Sequence, residues 1–269
     1  MDADLAVVAK DRCTWCGSKE FDLFPGKKGE WFRCGGCGFW RHSLIVNVQD
    51  YAQEDYNLDY QNSYYGRAIE RKRRTGHFRF RVFEKVHPQK GTFLDIGSSF
   101  GSMLVAGAER GWKTCGIDIS PSVVELTRSQ GLDTHCAQMV DMPFEDASID
   151  FINARHVLEH DIHTYRILRE FWRVLKPGGT ICIEVPDGDC RRMKRSAAHE
   201  AARWSYLHMV TFTPRVLAGF CTRAGYQFIP EPKALRGPLP YLVYRAWRLF
   251  RERNRLATYF VTYWRKPVE

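Results

Sequence analysis

From Gly91 onward, short apolar runs alternate with longer stretches whose apolar positions recur every three to four residues. "TFLDIG", "KTCGIDI", "DTHCAQM", "IDFINA" and "TICIEVP" read as strands, and the segments between several of them have a helical period. Leu168, Phe171, Trp172 and Leu175 show it, falling at i, i+3, i+4 and i+7 of one amphipathic helix. "KPGG" ends that helix before "TICIEVP", as Pro and Gly should. Alternation of this kind implies βαβ units, hence an α/β chain with a mostly parallel sheet covered on both faces. Further on, "GYQFIPEP" and "ATYFVTYWRKP" read as two more strands, separated by the helical "PYLVYRAWRLFRERNR". Upstream of the alternation, a tyrosine-rich stretch leads into "RAIERKRRTGHFRFRVFEKVHPQKG", expected to be a helix interrupted near Gly76.

With 269 residues, 44% of them hydrophobic, there is material for one large core and a small appended module. No run is apolar for the roughly 18 residues a membrane span needs, and "MDADLAVVAKDRC" lacks the basic and apolar regions of a leader, so a cytoplasmic protein is expected. A net charge of +9 points to an anionic partner or to a solvated basic surface.

Nine cysteines in a reducing compartment argue against a disulfide framework. Cys13 and Cys16, then Cys34 and Cys37, form two C-x2-C pairs with seventeen residues between them. Two such knuckles can hold a tetrahedral zinc ion, and four thiolates leave it no open position, so the ion is expected to be structural. The remaining cysteines, Cys115, Cys136, Cys182, Cys190 and Cys221, show no pairing and are expected in the core. Residues 1–45 are read as a zinc ribbon, 46–88 as a tyrosine-rich linker with a basic helical cap, and 89–269 as the main domain.

The first strand of the alternation runs into "GSSFG" and then a helix, a turn that lets a backbone approach a ligand beyond the carboxyl end of the strand. The glycines do not make a dinucleotide fingerprint, and no G-x-x-x-x-G-K-S/T loop is present. Asp118, at the end of the next strand and about 20 residues beyond the turn, can grip a ribose diol. A ligand with a ribose and no pyrophosphate, such as S-adenosylmethionine, fits.

At these residues the chain resembles the class I S-adenosylmethionine-dependent methyltransferases, of the type 11/23 kind. "FLDIGSSFGSM", "GWKTCGIDIS", "DMPFEDASIDFINARHVLEH", "LREFWRVLKPGGTICIEVPD" and "YLHMVTFTPRVLAGFCTRAGY" carry the resemblance from about Gly91 to Tyr226. It implies a Rossmann-like sheet with an antiparallel last strand and helical lid insertions. It also implies that Asp95 and the backbone around Gly97, Ser98 and Gly101 hold the methionine part, that Asp118 holds the ribose, and that Ile119 and Met139 flank adenine with Gln138 near its amino group. Ser99 stands where the family usually has a glycine, which a negative φ would accommodate, and Gln138 stands where an aspartate is common.

Methyl transfer from a sulfonium is an in-line displacement helped chiefly by alignment, with a base needed only for a protonated nucleophile. His208 is the first choice for that base, because imidazole titrates near neutrality and its segment should cover the pocket, and His160 is the second. His156, Glu184 and Asp187 fall at the same end of the sheet. Insertions near 188–209 and 240–254 are expected to form a lid. In the second, Val243, Ala246, Trp247 and Phe250 share a helical face and Arg245, Arg248, Arg251 and Arg255 gather on another, which suits a peripheral contact with an anionic lipid surface or a phosphorylated acceptor, or an ordinary cap helix. Tyr60, Tyr64 and Tyr65 either close over the cofactor or pack the linker.

Three functions are weighed. The preferred one is methylation of an oxygen, nitrogen or carbon on a small-molecule or sugar acceptor, lipid-linked or nucleotide-linked forms included, because long insertions suit an enclosed acceptor. The second is methylation of RNA gripped by the ribbon and the arginine-rich stretch from Arg67 to Arg81. The third is a zinc-ribbon scaffold without turnover.

Overall fold

The computed structural model describes residues 12–45, 69–201, 207–231 and 259–268. Tyr60, Tyr64, Tyr65, most of the proposed linker and the 240–254 insertion lie outside the described residues. No helix among the described residues is long and apolar enough to cross a membrane.

Two sheets organise the chain. The small one takes β1 (Phe21–Gly26), β2 (Gly29–Cys34) and β3 (Trp40–His42), and its fourth strand, β9 (Val210–Thr211), comes from far along the chain. All of its pairings are antiparallel, with Trp40 opposite Thr211 at the junction. The large sheet contains β4 (Thr92–Ile96), β5 (Lys113–Asp118), β6 (Thr134–Cys136), β7 (Ile149–Arg155), β8 (Leu175–Pro186), β10 (Gln227–Ile229) and β11 (Tyr259–Arg265). Their order is β10-β11-β8-β7-β4-β5-β6, and the pairings from β8 to β6 are all parallel. β11 runs antiparallel to both β8 and β10, so the expected antiparallel last strand is present in an otherwise parallel sheet. Order reverses at β4, whose run begins the crossovers to either side, and this is where an open α/β sheet binds its ligand.

The strands are continuous apolar runs because both faces are covered. On one side, α1 (Ile69–Val86) lays Phe80 and Phe83 on Phe93 and Phe151, with Phe80 and Phe93 centroids 4.7 Å apart. α2 (Ser102–Ala108) packs beside α1 on this face. On the other side, α4 (Thr164–Val174) buries Ile167, Leu168 and Phe171, and α5 (Pro214–Arg223) buries Leu217 and Phe220. α3 (Pro121–Ser129) connects β5 to β6, starting with a proline whose fixed φ suits a first helical turn.

Three sequence expectations change. α1 is unbroken at Gly76: the missing side chain lets α1 and α2 approach so closely that an added Cβ would lie 2.8 Å from that of Ala106. "KPGG" does follow the end of α4, but β8 begins at Leu175 and runs through it, with Gly178 N–H donating to Lys266 O and Lys266 N–H to Gly179 O. Of the five unpaired cysteines, Cys136 is exposed, because β6 is the sheet's short edge strand, while the other four are buried.

Candidate active site

A cavity of about 430 Å³ opens beyond the carboxyl ends of β4, β5 and β7, a size ordinary for a small-molecule site. Gly97, Asp118, Ile119, Gln138, Met139 and His160 of the sequence-derived set line it. Asp95, Ser98 and Gly101 lie just outside the lining. Asp95 is buried beneath the floor and accepts a 2.6 Å hydrogen bond from Asn153 Nδ2. Ser98 is buried with its side chain against Gly116, and Gly101 begins α2 with φ 71°.

The turn after β4 is built by positive φ. Gly97 has φ 66°, and a Cβ there would sit 2.6 Å from Val157 Cγ1, so this corner admits only glycine. Ser99 has φ 47°, against the expected negative value. That left-handed turn aims its N–H at Asp118 Oδ2 (2.9 Å), while Ser120 N–H reaches Oδ1 (3.0 Å). Burial raises the Asp118 pKa, opposed by these two donors. With one N–H on each oxygen, the carboxylate is fixed in direction, and its remaining lone pairs can accept from two vicinal hydroxyls. Ile119, Ala137 and Met139 give the adjoining wall an apolar surface suited to a flat base.

At the other end, β7 delivers Arg155 and His156. Glu184 on β8 is buried and takes Arg155 Nη2 at 2.5 Å, Arg79 Nη1 at 3.1 Å and His156 Nε2 at 3.1 Å. Burial alone would raise its pKa, but Arg79 and Arg155 hold it well below the carboxylate range. His156 feels burial too, yet Glu159 and Glu184 lift it to about 9, so it is a cation with φ 51° at the cavity wall. Asp187, at the end of β8, is buried and its Oδ1 accepts from Asp189 N–H.

His160 closes a 3-10 turn (Leu158–His160) in the cavity wall, and His208 stands behind it, ring centroids 4.9 Å apart and edge to face. His160 Nδ1 lies 3.1 Å from Leu207 O. Burial pushes His208 down to about 4, so the ring is neutral at physiological pH, in place of the expected titration near neutrality. The sequence did not single out Lys72, Arg155 or Asp161, all of which line the cavity. Arg155 and Asp161 flank "HVLEH" and were within reach of a strand-end argument; Lys72 arrives from α1, whose packing no local pattern reveals.

At the far side of the small sheet, Cys13, Cys16, Cys34 and Cys37 bring their sulfurs within 4.8 Å of one another. Cys13 and Cys37 are 3.7 Å apart and Cys16 and Cys34 3.4 Å, near the edge of roughly 3.8 Å of a thiolate tetrahedron with 2.3 Å bonds.

Comparison with known proteins agrees with this geometry. Residues 94–183, about a third of the chain, match the family described as a methyltransferase domain. Over 148 residues the chain is 30% identical to the biotin biosynthesis bifunctional protein BioHC of Cellvibrio japonicus, covering 53% of this chain and 29% of that protein. Over 193 residues it is 27% identical to the mitochondrial 2-methoxy-6-polyprenyl-1,4-benzoquinol methylase of Caenorhabditis elegans, covering 70% of this chain and 59% of that one. The chain therefore spans less than two thirds of the length of either. The fold is similar to that of a Haloferax volcanii methyltransferase solved with the Trm112 methyltransferase activator, at 18% identity and a TM-score of 0.54, over 84% of this chain and 100% of that one. Strand order, the turn that clasps Asp118 and the matched residues agree: residues 94–183 carry a methyltransferase domain, on a fold similar to that of S-adenosylmethionine-dependent methyltransferases.

Proposed function

We propose that this protein transfers a methyl group from S-adenosylmethionine to an oxygen, nitrogen or carbon of a small-molecule or sugar acceptor. The observation that carries the reading is the Asp118 carboxylate, pinned by two backbone donors at the mouth of a cavity with an apolar wall. When bound, the cofactor would supply an electrophilic methyl on sulfur. Asp118 would take the ribose hydroxyls, Ile119 and Met139 the faces of adenine, and Gln138 its amino group. Gly97, with Asp95 behind it, would border the methionine part. His160 and His208 would mark the acceptor end. Cys13, Cys16, Cys34 and Cys37 would hold a structural zinc ion; the sulfur spacing fits that ion and leaves it no open position.

A small acceptor is favoured over RNA by what α1 does with its charge. Arg73 and His77 pair with Glu109, at 2.5 and 2.7 Å, and Arg79 pairs with Glu184. Cations engaged in this way do not form an open strip for phosphates. Isothermal titration of the chain with adenosylmethionine tests the reading: micromolar binding lost in Asp118→Ala is expected, and an absence of binding by the wild type would leave the scaffold alternative. A binding constant for total RNA that falls steeply with salt would favour the RNA reading.

A further inference from the structure

The "HVLEH" turn and the segment that leads into β9 bring together a second group of metal-ligating side chains, separate from the four cysteines. One carboxylate oxygen of Glu159 and one ring nitrogen each of His160 and His208 lie within 4.8 Å of one another. Side-chain rotation can close that spread around a single ion at metal–ligand distances of about 2.1 Å.

Glu159 is the informative member. It is 0% exposed, and neither carboxylate oxygen makes a hydrogen bond. His156 Nδ1 stands 3.4 Å from Oε1, but the same ring already serves Glu184 through Nε2. A buried carboxylate without hydrogen bonds is costly and calls for a further positive partner. His208 Nδ1 is likewise buried with no hydrogen-bond partner. His160 Nδ1 faces Leu207 O, and since a carbonyl only accepts, that nitrogen carries the proton and Nε2 keeps the lone pair. A backbone carbonyl fixing the tautomer of an imidazole is a recurrent support for a metal ligand.

Backbone bonds hold the group in place: Met209 N–H donates to Glu159 O at 2.8 Å, tying the segment that carries His208 to the turn that carries the other two. Two imidazoles and one carboxylate suit a divalent transition metal and leave positions open. His160 also lines the cavity, so an open position can face it.

We propose that Glu159, His160 and His208 bind a divalent transition-metal ion beside the cavity, where the ion holds an acceptor oxygen for methylation. The second half of this proposal rests on the methyltransferase reading. An acceptor hydroxyl at the ion loses its proton to solvent, made easier by the positive charge. Its oxygen lone pair forms the bond to the methyl carbon while the carbon–sulfur pair returns to sulfur, giving a methyl ether and S-adenosylhomocysteine. The two histidines thereby act as ligands rather than as proton acceptors, and the acceptor is a hydroxylated compound.

The test uses the full chain saturated with zinc and freed of excess. Metal analysis is followed by titration with manganese(II), with free manganese read by electron paramagnetic resonance. The wild type should hold either a second zinc per chain or one manganese beyond the ribbon's zinc. Glu159→Gln and His208→Gln should each lose that second ion or bind it at least tenfold more weakly, while keeping one zinc per chain and the wild-type circular dichroism. Cys37→Ser should lose the ribbon's ion and still bind manganese, more weakly than the wild type because the segment that carries His208 is tied to the small sheet. A wild type with one ion in total, or Glu159→Gln and His208→Gln variants that both retain the second ion at full affinity, overturns the proposal. Adenosylmethionine titrated into the same samples separates the two readings: its failure to bind removes the methylation role and leaves the ion count to stand or fall by itself.

Discussion

The amide of Ser99 donates to Asp118 Oδ2 at 2.9 Å, and it does so only because Ser99 adopts a left-handed backbone with φ 47°. One strained residue thus sets the direction of the carboxylate proposed to take the ribose. A non-glycine residue in this region carries a cost of about 1 kcal/mol, and the Ser99 hydroxyl is buried without a hydrogen-bond partner besides. Ser99→Gly should therefore raise the melting temperature by about 2–4 °C while leaving adenosylmethionine affinity within about twofold. Differential scanning fluorimetry and calorimetry on one preparation check both halves; an unchanged or lowered melting temperature contradicts the strain argument.

Asp118→Asn probes the other partner. An amide presents one oxygen where two backbone N–H groups converge on two carboxylate oxygens, so one N–H faces an NH2 and the ribose loses a charged acceptor. Hydrogen bonds to a charged group contribute about 1.5–3 kcal/mol, which corresponds to adenosylmethionine binding weakened roughly 10-fold to 100-fold. Calorimetry with the cofactor measures it directly. Binding unchanged in Asn and in Ala variants would remove Asp118 from the site.

How much of this was legible in the sequence follows physical range. β4, β5, β7 and β8 are buried on both faces and announce themselves as apolar runs, and the 3.6 period of Leu168 and Phe171 marks α4. Asp118 and Gly97 were readable because strand end and turn are local events. Gly76 was misread as an interruption because its reason, the proximity of Ala106 on α2, lies 30 residues away. The junction of β3 with β9, which pairs Arg41 with Val210 169 residues further on, could not be read from any local pattern. The Glu159 cluster needed both "HVLEH" and a segment 48 residues further on, and only the fold puts His208 beside His160.

Asp95 makes a pH prediction. Burial pushes its carboxyl up to about 7, with the hydrogen bond from Asn153 opposing. The folded state therefore holds a proton that the unfolded chain, with a pKa near 3.8, releases earlier. Since stability falls with pH wherever the native state binds more protons, the contribution is fully present below the unfolded value and is lost as pH rises toward about 7. In Asp95→Asn that decline should vanish, so the difference in unfolding free energy between wild type and variant should change steadily across this window and level off above it. Urea melts at closely spaced pH values give the curve; parallel curves for the two proteins would show that Asp95 does not titrate there.

Loss of the zinc ion proposed for Cys13, Cys16, Cys34 and Cys37 should be felt at the cavity. Trp15 packs on Phe220 of α5 with centroids 4.4 Å apart, and Phe39 packs on Phe212 and Phe220, so the small sheet leans on the large domain through aromatic contacts. It also supplies β9 with its partner strand, and Met209, next to β9, is the residue tied to Glu159. A cluster of four thiolates that gives up its metal loses the fastening of a module too small to hold by burial alone. Chelation of the zinc-loaded chain, or Cys37→Ser, should therefore expose tryptophan, shifting its fluorescence to the red, and should loosen the segment that carries His208. Because Asp118 and the turn at Gly97 belong to strands on the far side of β7, adenosylmethionine affinity should change by less than about threefold while turnover falls at least tenfold once an acceptor is in hand. Equal losses of cofactor affinity and turnover would mean that the ribbon supports the whole sheet rather than the acceptor end alone.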